Sequence, residues 1–337
     1  MRVDILWNQP TGYLAACLNE LALVADVSLS FPAERDGASL AAVSLFSDAI
    51  DLRPWAAESG STFQPRPGAP DRLLVSGWTH RPYLRYAPEL AGQTRRILTM
   101  DNQWHGTVKQ RAASGLRRFT MRPYFDCAFV PGARQAVFAR RLGFDPADIS
   151  LGSYACDVAL FSQMSSEARA HRLVVVARLV PEKGIDLLLA AYGRHRASSP
   201  NPLGLLIVGE GPLSAMCDGL EGVELSGLLT PAEVRDALRA SRGLALTSRS
   251  EPWGVALHEG ATSGLPLLAS DACGAADAFV EPANGWLHKA GDVGGIELGM
   301  NCLAEIDDLK WNRMSQHSKT LAVAITPLTW VNALMSI

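Results

Sequence analysis

The stretch Ala177-Arg-Leu-Val-Pro-Glu-Lys-Gly184 ends a hydrophobic run that predicts a buried strand over 172–179. Apolar periodicity predicts a helix over 184–192. Arg178 then lies near the carboxyl end of the strand and Lys183 at the start of the helix, where α/β sheets bind ligands. Two cations beside the unpaired N–H groups of a helix start suit a diphosphate. Ordinary surface charges are the alternative for this segment taken alone.

A second segment, Ser250-Glu-Pro-Trp-Gly-Val-Ala-Leu-His-Glu-Gly260, carries two glutamates eight positions apart. With a helix starting near Gly254, Glu251 lies at the helix entrance and Glu259 two turns along it. Glu251 can accept sugar hydroxyls and Glu259 can chelate a vicinal diol, while a phosphate oxygen fits the unpaired N–H groups of Trp253, Gly254 and Val255. Helix-dipole complementation and a solvated face are the alternative, but the two cations of the preceding segment favour a ligand site.

Short β-rich runs alternate with helical segments along nearly the whole chain of 337 residues, which indicates parallel sheets covered by helices. At about 150 residues per domain, this length predicts two open α/β domains, with a boundary near residue 165. The strands predicted in the first domain span 3–7, 26–31, 43–47, 72–76, 96–100 and 127–130. Those predicted in the second span 172–179, 205–208, 223–225, 244–247 and 267–269.

The motifs of the second half resemble family 4 glycosyltransferases in order and in spacing throughout 172–290. The shared features are Arg178, Lys183-Gly184, Leu206-Ile-Val-Gly-Glu-Gly-Pro212, Glu251-x7-Glu259, Gly264-x-Pro266, Gly274 and Asn284-Gly285. The resemblance implies the α/β GT-B fold, in which two facing Rossmann-like domains bind a nucleotide-sugar in the cleft between them. It implies an acceptor domain over 1–165, a donor domain over 166–320, and a terminal helix at about 320–337 that crosses back to the first domain.

The resemblance also implies roles for single residues. Arg178 and Lys183 would neutralise the diphosphate leaving group, Glu251 would contact the transferred sugar, and Glu259 would hold the ribose hydroxyls. Because bond cleavage places negative charge on the phosphate, preorganised cations are the main catalytic requirement. Fixed cations explain metal independence, and the resemblance implies a retaining reaction in which the departing phosphate takes the acceptor proton. Further donor contacts are implied for Gly12 in the turn Asn8-Gln-Pro-Thr-Gly12, for Gly211, for Leu228, and for Trp253, Gly254 and Val255.

The chain departs from the family pattern in two segments. Many members carry a histidine at the end of a late N-terminal strand, where this chain has Asp101, followed by Trp104 and His105. We expect Asp101 to orient a hydroxyl of the transferred sugar or acceptor, and Trp104 or His105 to line the acceptor pocket. Capping of a helix near Gly106 is the alternative for the aspartate. In the later donor loop, the usual Gly-Gly pair is Gly274-Ala275 and the usual glutamate is Asp277.

Composition excludes several classes of protein. The chain has 31 Lys and Arg, 34 Asp and Glu, and 48% hydrophobic residues. This is the composition of an ordinary globular protein rather than of a disordered, collagenous or coiled-coil chain. Its apolar stretches are too short to span a membrane, and its first residues lack a signal-peptide pattern, so we expect a cytoplasmic protein. The six cysteines and seven histidines show no metal-ligand spacing. No metal and no cofactor is predicted.

Positive charge is concentrated in residues 95–141. Ten basic residues there face only Asp101 and Asp126, which gives a net charge of +8. Such a cluster indicates either solvated helix faces or a surface that docks on an anionic membrane, on its inner, cytoplasmic side. Nucleic acid is not an expected partner, because the overall charge is −3 and no reading motif is present.

The expected function is that of a retaining glycosyltransferase of the hexosyltransferase type, with a nucleotide-diphosphate sugar as donor and a glycan or lipid-linked acceptor. Cell-surface polysaccharide or glycoconjugate synthesis is the expected process. Two alternatives stay open: a GT-B nucleotide-sugar epimerase or glycan phosphorylase, and a noncatalytic partner subunit with a degenerate active site. A nicotinamide-dependent oxidoreductase is disfavoured, because no G-x-G-x-x-G follows the first strand.

Overall fold

The computed structural model describes residues 1–33, 42–55, 63–78, 80–117, 121–163 and 169–337. Two compact units emerge, one formed by Met1–Ala155 with Pro327–Ile337 and the other by Cys156–Thr326. The boundary predicted at residue 165 lies outside the described residues. No helix in the described part of the chain is long and apolar enough to cross a membrane.

The first unit is built on a parallel sheet flanked by helices. Over its described residues the sheet has seven strands, in the order β3-β2-β1-β4-β5-β6-β7. The winding direction reverses between β1 and β4, which is where open α/β sheets form their ligand crevice. The strands are β1 (Arg2–Leu6), β2 (Asp26–Pro32), β3 (Ile50–Trp55), β4 (Arg72–Ser76), β5 (Arg95–Thr99), β6 (Cys127–Val130) and β7 (Ile149–Leu151). The helices are α1 (Gly12–Leu21), α2 (Arg81–Tyr86), α3 (Val108–Arg117) and α4 (Ala133–Arg141).

The strand predicted at 43–47 is wrong, because this segment forms turns and the strand begins at Ile50. The side chain of Asn19 in α1 holds this turn through two hydrogen bonds to its backbone. Its amide donates to the Leu45 carbonyl at 2.8 Å, and its oxygen accepts from the Ser47 N–H at 2.8 Å. These bonds use backbone groups that a strand would pair with a neighbouring strand.

The second unit repeats the layered plan. Its sheet has the order β10-β9-β8-β11-β12-β13, so β8 and β11 are central neighbours. The strands are β8 (Arg172–Val176), β9 (Gly204–Val208), β10 (Val223–Gly227), β11 (Gly243–Leu246), β12 (Leu267–Ser270) and β13 (Gly285–His288). The helices are α5 (Val158–Phe161), α6 (Ile185–Ser198), α7 (Pro231–Arg239), α8 (Val255–Thr262), α9 (Ala276–Phe279), α10 (Val293–Glu305) and α11 (Asp308–Ala322). The edge strand β13 was not predicted from the sequence.

The last helix, α12 (Pro327–Met335), packs within the first unit. Trp330 is 1% exposed, and its ring meets that of Phe129 edge to face at a centroid distance of 5.4 Å. The Arg72 guanidinium donates to the carbonyls of Met335 and Ile337 and so fixes the end of the chain. An aromatic anchor and backbone hydrogen bonds therefore join the terminal helix to the sheet.

We expect Trp330→Ala to destabilise the protein by about 3–5 kcal/mol, because it removes a fully buried aromatic ring and leaves a cavity. Chemical denaturation measures the loss. Asn332→Ala, at an exposed position of the same helix, serves as the control and should change stability by no more than about 0.5 kcal/mol. A loss below about 1 kcal/mol for Trp330→Ala would contradict the anchoring role, since burial of this ring would then contribute little.

Candidate functional site

Two loops of the second unit leave adjacent strands at the carboxyl edge of its sheet. The lysine loop, residues 177–184, follows β8, and the glutamate loop, residues 247–254, follows β11. Because β8 and β11 are parallel neighbours, both loops begin at the same edge. This is the edge at which parallel sheets bind ligands.

The two loops meet through an ion pair between the Lys183 ammonium and the Glu251 carboxylate. Both side chains are largely shielded, at 17% and 9% exposure. The same carboxylate oxygen accepts a hydrogen bond from the Ser248 hydroxyl at 3.2 Å. Lys183 is thus a positioned cation within a polar cluster, so the surface-charge alternative does not describe it.

Further bonds join the two loops and limit their movement. The Arg249 guanidinium pairs in bidentate fashion with Asp186 in the first turn of α6, both contacts being 2.6 Å. The backbone N–H of Arg249 donates to the Glu182 carbonyl at 2.8 Å. Bidentate pairing fixes orientation as well as distance, so the charged groups stand on a stiff backbone.

Close backbone approach explains three of the glycines at this edge. Gly184 has φ of +67°, and a Cβ built there would lie 2.5 Å from the carbonyl oxygen of Thr247 in the glutamate loop. Gly209, which follows β9, has φ of +136°, and its Cβ would lie 2.0 Å from the Ala177 carbonyl oxygen. At Gly211 the same construction gives 2.4 Å to the Leu179 carbonyl oxygen. Gly211, predicted to bind the donor, therefore packs backbone against backbone on the lysine loop.

The helix predicted near Gly254 begins at Val255, with Gly254 at the N-cap. Trp253 is buried, and its carbonyl accepts from the Ala275 N–H at 2.8 Å. The Gly274 N–H donates to the Glu251 carbonyl at 3.1 Å. The loop after β12, which contains Gly274 and Ala275, is therefore hydrogen-bonded to the glutamate loop. Ala275 has φ of −75°, which an alanine adopts without strain, and this accounts for the absence of a second glycine.

Glu259 lies half-buried on α8, between residues that are fully buried. Among the described residues, its carboxylate has neither a hydrogen bond nor an ion pair. Burial raises the pKa of the Glu259 carboxyl from 4.5 to about 7. A carboxylate held in this way is unfavourable for folding alone and suits a ligand that brings its own hydroxyl donors.

The neighbouring His258 has a structural role. Its Nδ1 accepts from the Cys156 N–H at 3.0 Å, and its Nε2 lies 3.2 Å from the Ala322 carbonyl, to which it donates. The ring stacks on Phe279 at a centroid distance of 4.6 Å. Burial lowers the pKa of His258 to about 4, so the ring is neutral at physiological pH. His258 and Glu259 are adjacent in sequence, yet of the two only the glutamate has no hydrogen-bond or ion-pair partner among the residues that the structure describes.

Arg178 and Leu228 are both exposed. The guanidinium of Arg178 makes no ion pair or hydrogen bond within the described part of the chain. Leu228, 48% exposed, directly follows Gly227 at the end of β10. Both residues are therefore accessible to a ligand at the carboxyl edge of this sheet.

In the first unit, a cavity of about 240 Å³ opens at the carboxyl ends of β1, β4 and β5. Asp101 lines it, together with polar groups and four aromatic side chains, Trp7, Tyr13, Trp78 and Tyr154. The rings of Tyr13 and Tyr154 lie 4.9 Å apart. Burial, and secondarily the Asp101 carboxylate, hold the pKa of the Tyr154 hydroxyl well above its usual value. A carboxylate among aromatic faces suits a sugar, which has both hydroxyls and apolar ring faces.

Trp104 and His105 lie elsewhere. Trp104 packs on Phe138 at 5.5 Å between ring centroids, and the Arg141 guanidinium lies 4.3 Å above its ring. His105 is exposed and donates its backbone N–H to the Gln110 side chain. Neither residue lines the cavity beside Asp101. The following helix begins at Val108, where the Thr107 hydroxyl accepts from the Gln110 N–H at 3.2 Å, so this cap comes from Thr107.

Gly12 is the first residue of α1, after the N-cap Thr11, which also lines the cavity. A Cβ built at Gly12 would meet only the Leu45 side chain, at an ordinary 3.6 Å. Packing does not require glycine here. The packing around Gly12 therefore does not explain why this residue is a glycine.

Sequence reasoning missed the four aromatic residues of the cavity. They come from the end of β1, the first turn of α1, the loop after β4 and the segment after β7. Each is an ordinary core candidate when taken singly. The available signal was their position at the end of a predicted strand: Trp7 is the last residue of the strand predicted over 3–7, and Trp78 lies two residues beyond the strand predicted over 72–76.

In the described part of the chain, no three or more His, Cys, Asp or Glu side chains gather where they could hold a metal ion.

We expect Glu259→Gln to stabilise the protein at pH 8 by about 1–3 kcal/mol, and the gain to disappear towards pH 4.5. The folded-state pKa of about 7 lies above the unfolded value of 4.5, so the folded protein binds more protons between them and loses stability as pH rises. Denaturant unfolding at both pH values measures this difference. The exposed Glu210→Gln is the control, with equal effects at both; a Glu259→Gln gain independent of pH would contradict the assignment.

Comparisons with known proteins give the following similarities. Residues 162–319 match the family described as glycosyl transferases group 1. A D-inositol 3-phosphate glycosyltransferase of Gordonia bronchialis is 29% identical over half of this chain and 46% of that protein. A 2-deoxystreptamine N-acetyl-D-glucosaminyltransferase of Niallia circulans is 26% identical over 43% of this chain and 39% of that protein. The chain thus covers less than half the length of these two relatives.

Among solved structures, HepE of Anabaena in complex with UDP-glucose superposes with a TM-score of 0.76 at 18% identity, and the match covers 100% of both chains. Sucrose-phosphate synthase of Thermosynechococcus elongatus gives a TM-score of 0.75 at 14% identity, over 100% of this chain and 97% of that chain. At these identities the likeness shows the fold. The predicted fold class, α/β with two Rossmann-like domains of the GT-B type, is confirmed, and residues 162–319 are similar to the group 1 glycosyl transferases.

Proposed function

We propose that this chain is a retaining glycosyltransferase of family 4 that moves a sugar from a nucleotide-diphosphate sugar to a glycan or lipid-linked acceptor. The observation that carries the proposal is the positioned Lys183–Glu251 pair at the carboxyl edge of the second sheet. Glu259 on the helix that follows supports it, because this carboxyl is half-buried and has no partner within the described part of the chain. Binding a nucleotide-sugar requires a cation for the diphosphate, a hydrogen-bond acceptor for the sugar hydroxyls, and a hydrogen-bond acceptor for the ribose diol.

Each group has a proposed task. Lys183 and Arg178 stabilise the diphosphate, whose charge increases as the bond to the sugar breaks. Glu251 accepts hydroxyls of the transferred sugar, and Glu259 accepts both ribose hydroxyls. Leu228 and the backbone beside it line the base. The N–H groups at the start of α8 face a phosphate oxygen, and Gly12 is a further proposed donor contact.

The proposed reaction needs no metal and no cofactor. The bond between the anomeric carbon and the phosphate oxygen breaks, and a bond from the acceptor oxygen forms on the same face of the sugar. The acceptor proton passes to the departing phosphate, so the products are the glycoside and a nucleoside diphosphate. Fixed cations that oppose charge on the leaving group lower the barrier without reorganising during the reaction.

Uridine is the first base to test, because HepE was solved with UDP and with UDP-glucose. The cavity of the first unit is the proposed place for the transferred sugar or the acceptor, with Asp101 orienting a hydroxyl. Trp104 and His105 are not assigned to this cavity. We place the reaction in polysaccharide or glycoconjugate synthesis at the cell surface, on the cytoplasmic side.

We expect Lys183→Ala to lower turnover by about 10²–10³, because one preorganised charge at the leaving group is lost. Mass spectrometry of a panel of nucleotide-sugars, beginning with UDP-glucose, follows transfer or slow hydrolysis. Lys310→Ala, at an exposed position of α11, is the matched control and keeps full activity.

Removing the lysine also leaves the Glu251 carboxylate buried without its ion-pair partner, which destabilises folded proteins. The double variant Lys183→Ala with Glu251→Gln removes both charges and should regain melting temperature without regaining turnover. Near-normal turnover of Lys183→Ala, or a wild-type protein that neither binds nor cleaves any nucleotide-sugar, would contradict the proposed function.

For Asp101→Asn we expect turnover to fall about 10- to 100-fold with little change in melting temperature, because shape is kept while a charged hydrogen-bond acceptor is lost. Asp48→Asn, at an exposed position in the same unit, is the control. Activity assays and thermal unfolding of both variants are compared. A fully active Asp101→Asn would limit this residue to a structural role.

A further inference from the structure

The helix α3 (Val108–Arg117) presents an apolar stripe to solvent. Val108 is 84% exposed and Leu116 is 72% exposed, and the exposed Ala112 lies between them. At 3.6 residues per turn, positions 108, 112 and 116 fall on one face of the helix. Large apolar side chains aligned on one exposed face, unlike single exposed ones, indicate an interaction surface.

Cations flank this stripe on both sides. With 100° between successive residues, Lys109 lies on one side of the stripe and Arg111 on the other, and both are exposed. No carboxylate occurs within α3. An apolar stripe bordered by basic residues is the pattern of a helix that lies in the interface of an anionic membrane.

A wide groove continues the basic surface from α3 to α4 (Ala133–Arg141). Its volume is about 620 Å³, and the small residues Ser114 and Gly115 form its wall on the α3 side. Arg140 and Arg141 line the opposite wall and are exposed. Asp145 also lines the groove, but its carboxylate is paired with Arg122 at 2.7 Å. The groove therefore presents two guanidinium groups to an incoming anion.

Two basic residues of the segment 95–141 are neutralised within the protein. Arg96 is buried and paired with Asp126, and Arg122 is paired with Asp145 and Asp148, so neither contributes an uncompensated charge. Arg118 lies outside the described residues. The exposed cations that remain beside the stripe and the groove are Lys109, Arg111, Arg140 and Arg141.

We propose that α3 docks the protein on an anionic membrane: Val108 and Leu116 enter the headgroup region, and the four cations contact lipid phosphates. The occupant is a bilayer rather than a free phosphate, because a small anion gives no reason for an exposed apolar stripe. This surface goes beyond the proposed transfer reaction and does not rest on it. It gives a lipid-linked acceptor a place to meet the enzyme.

The test is sedimentation of the full chain with vesicles made of equal parts phosphatidylcholine and phosphatidylglycerol, compared with phosphatidylcholine alone, at low and high salt. We expect binding that requires the anionic lipid and weakens with salt. Replacing Lys109 and Arg111 by Gln should weaken partitioning about five-fold per charge. The pair Val108→Ser and Leu116→Ser should weaken it about ten-fold or more. Because these positions are exposed, melting temperatures should stay unchanged.

Leu23→Ser is the matched control, since Leu23 is 76% exposed in the same unit but lies outside the helix. Lys183→Ala should bind vesicles like the unmodified chain, which separates this inference from the proposed reaction. Binding that ignores lipid charge and salt would overturn the proposal. So would binding that inorganic phosphate abolishes while the two serine substitutions leave it intact, because the groove would then be a site for small anions.

Discussion

The ion pair between Lys183 and Glu251 is the interaction on which the organisation of the second unit's sheet edge depends. Taking two opposite charges out of water carries a desolvation penalty that their attraction only partly offsets. The chain therefore surrounds the pair with groups that fix its geometry: the Ser248 hydroxyl on the carboxylate, and the Arg249–Asp186 pair that holds both loops. Glycine at 184 lets the lysine loop reach the carbonyl of Thr247. Stability alone gives little reason to assemble charges here, whereas the proposed transfer reaction requires them preorganised.

The strands were the most predictable part of the fold. Strands β4 and β6 have the predicted bounds, because continuous apolar runs buried on both faces leave a strong local signal. The failure at 43–47 has a non-local cause, since the Asn19 side chain, far away in sequence, bonds the backbone of that segment into a turn. The missed strand β13 is four residues long and pairs with β12 at the edge of the sheet that the described residues form. Local patterns carry too little information for either case.

In the candidate site, too, local patterns predicted some features, whereas non-local contacts determined others. The spacing of Lys183, Glu251 and Glu259 follows from strand–loop–helix units, so the sequence predicted where on the sheet they lie. Which of them pair, and which stay without a partner, depends on loop contacts that no spacing encodes. The aromatic cavity around Asp101 escaped prediction because Trp7 and Tyr154 come from opposite ends of the first unit's sequence. Trp104, which looked like a pocket residue by its sequence neighbours, instead packs against Phe138 and Arg141.

Two local features are unfavourable for folding alone. One is a buried carboxyl group, and the other is a set of exposed apolar side chains. Glu259 holds a carboxyl where burial disfavours its charge, while Val108 and Leu116 hold apolar groups in water. Two other buried groups are fully paired: His258 has both ring nitrogens bonded, and Arg96 is buried against Asp126. Departures from local consistency in an otherwise consistent fold are expected where a ligand or a surface completes the interaction. A diol would supply the missing donors at Glu259, and a bilayer would cover the stripe on α3.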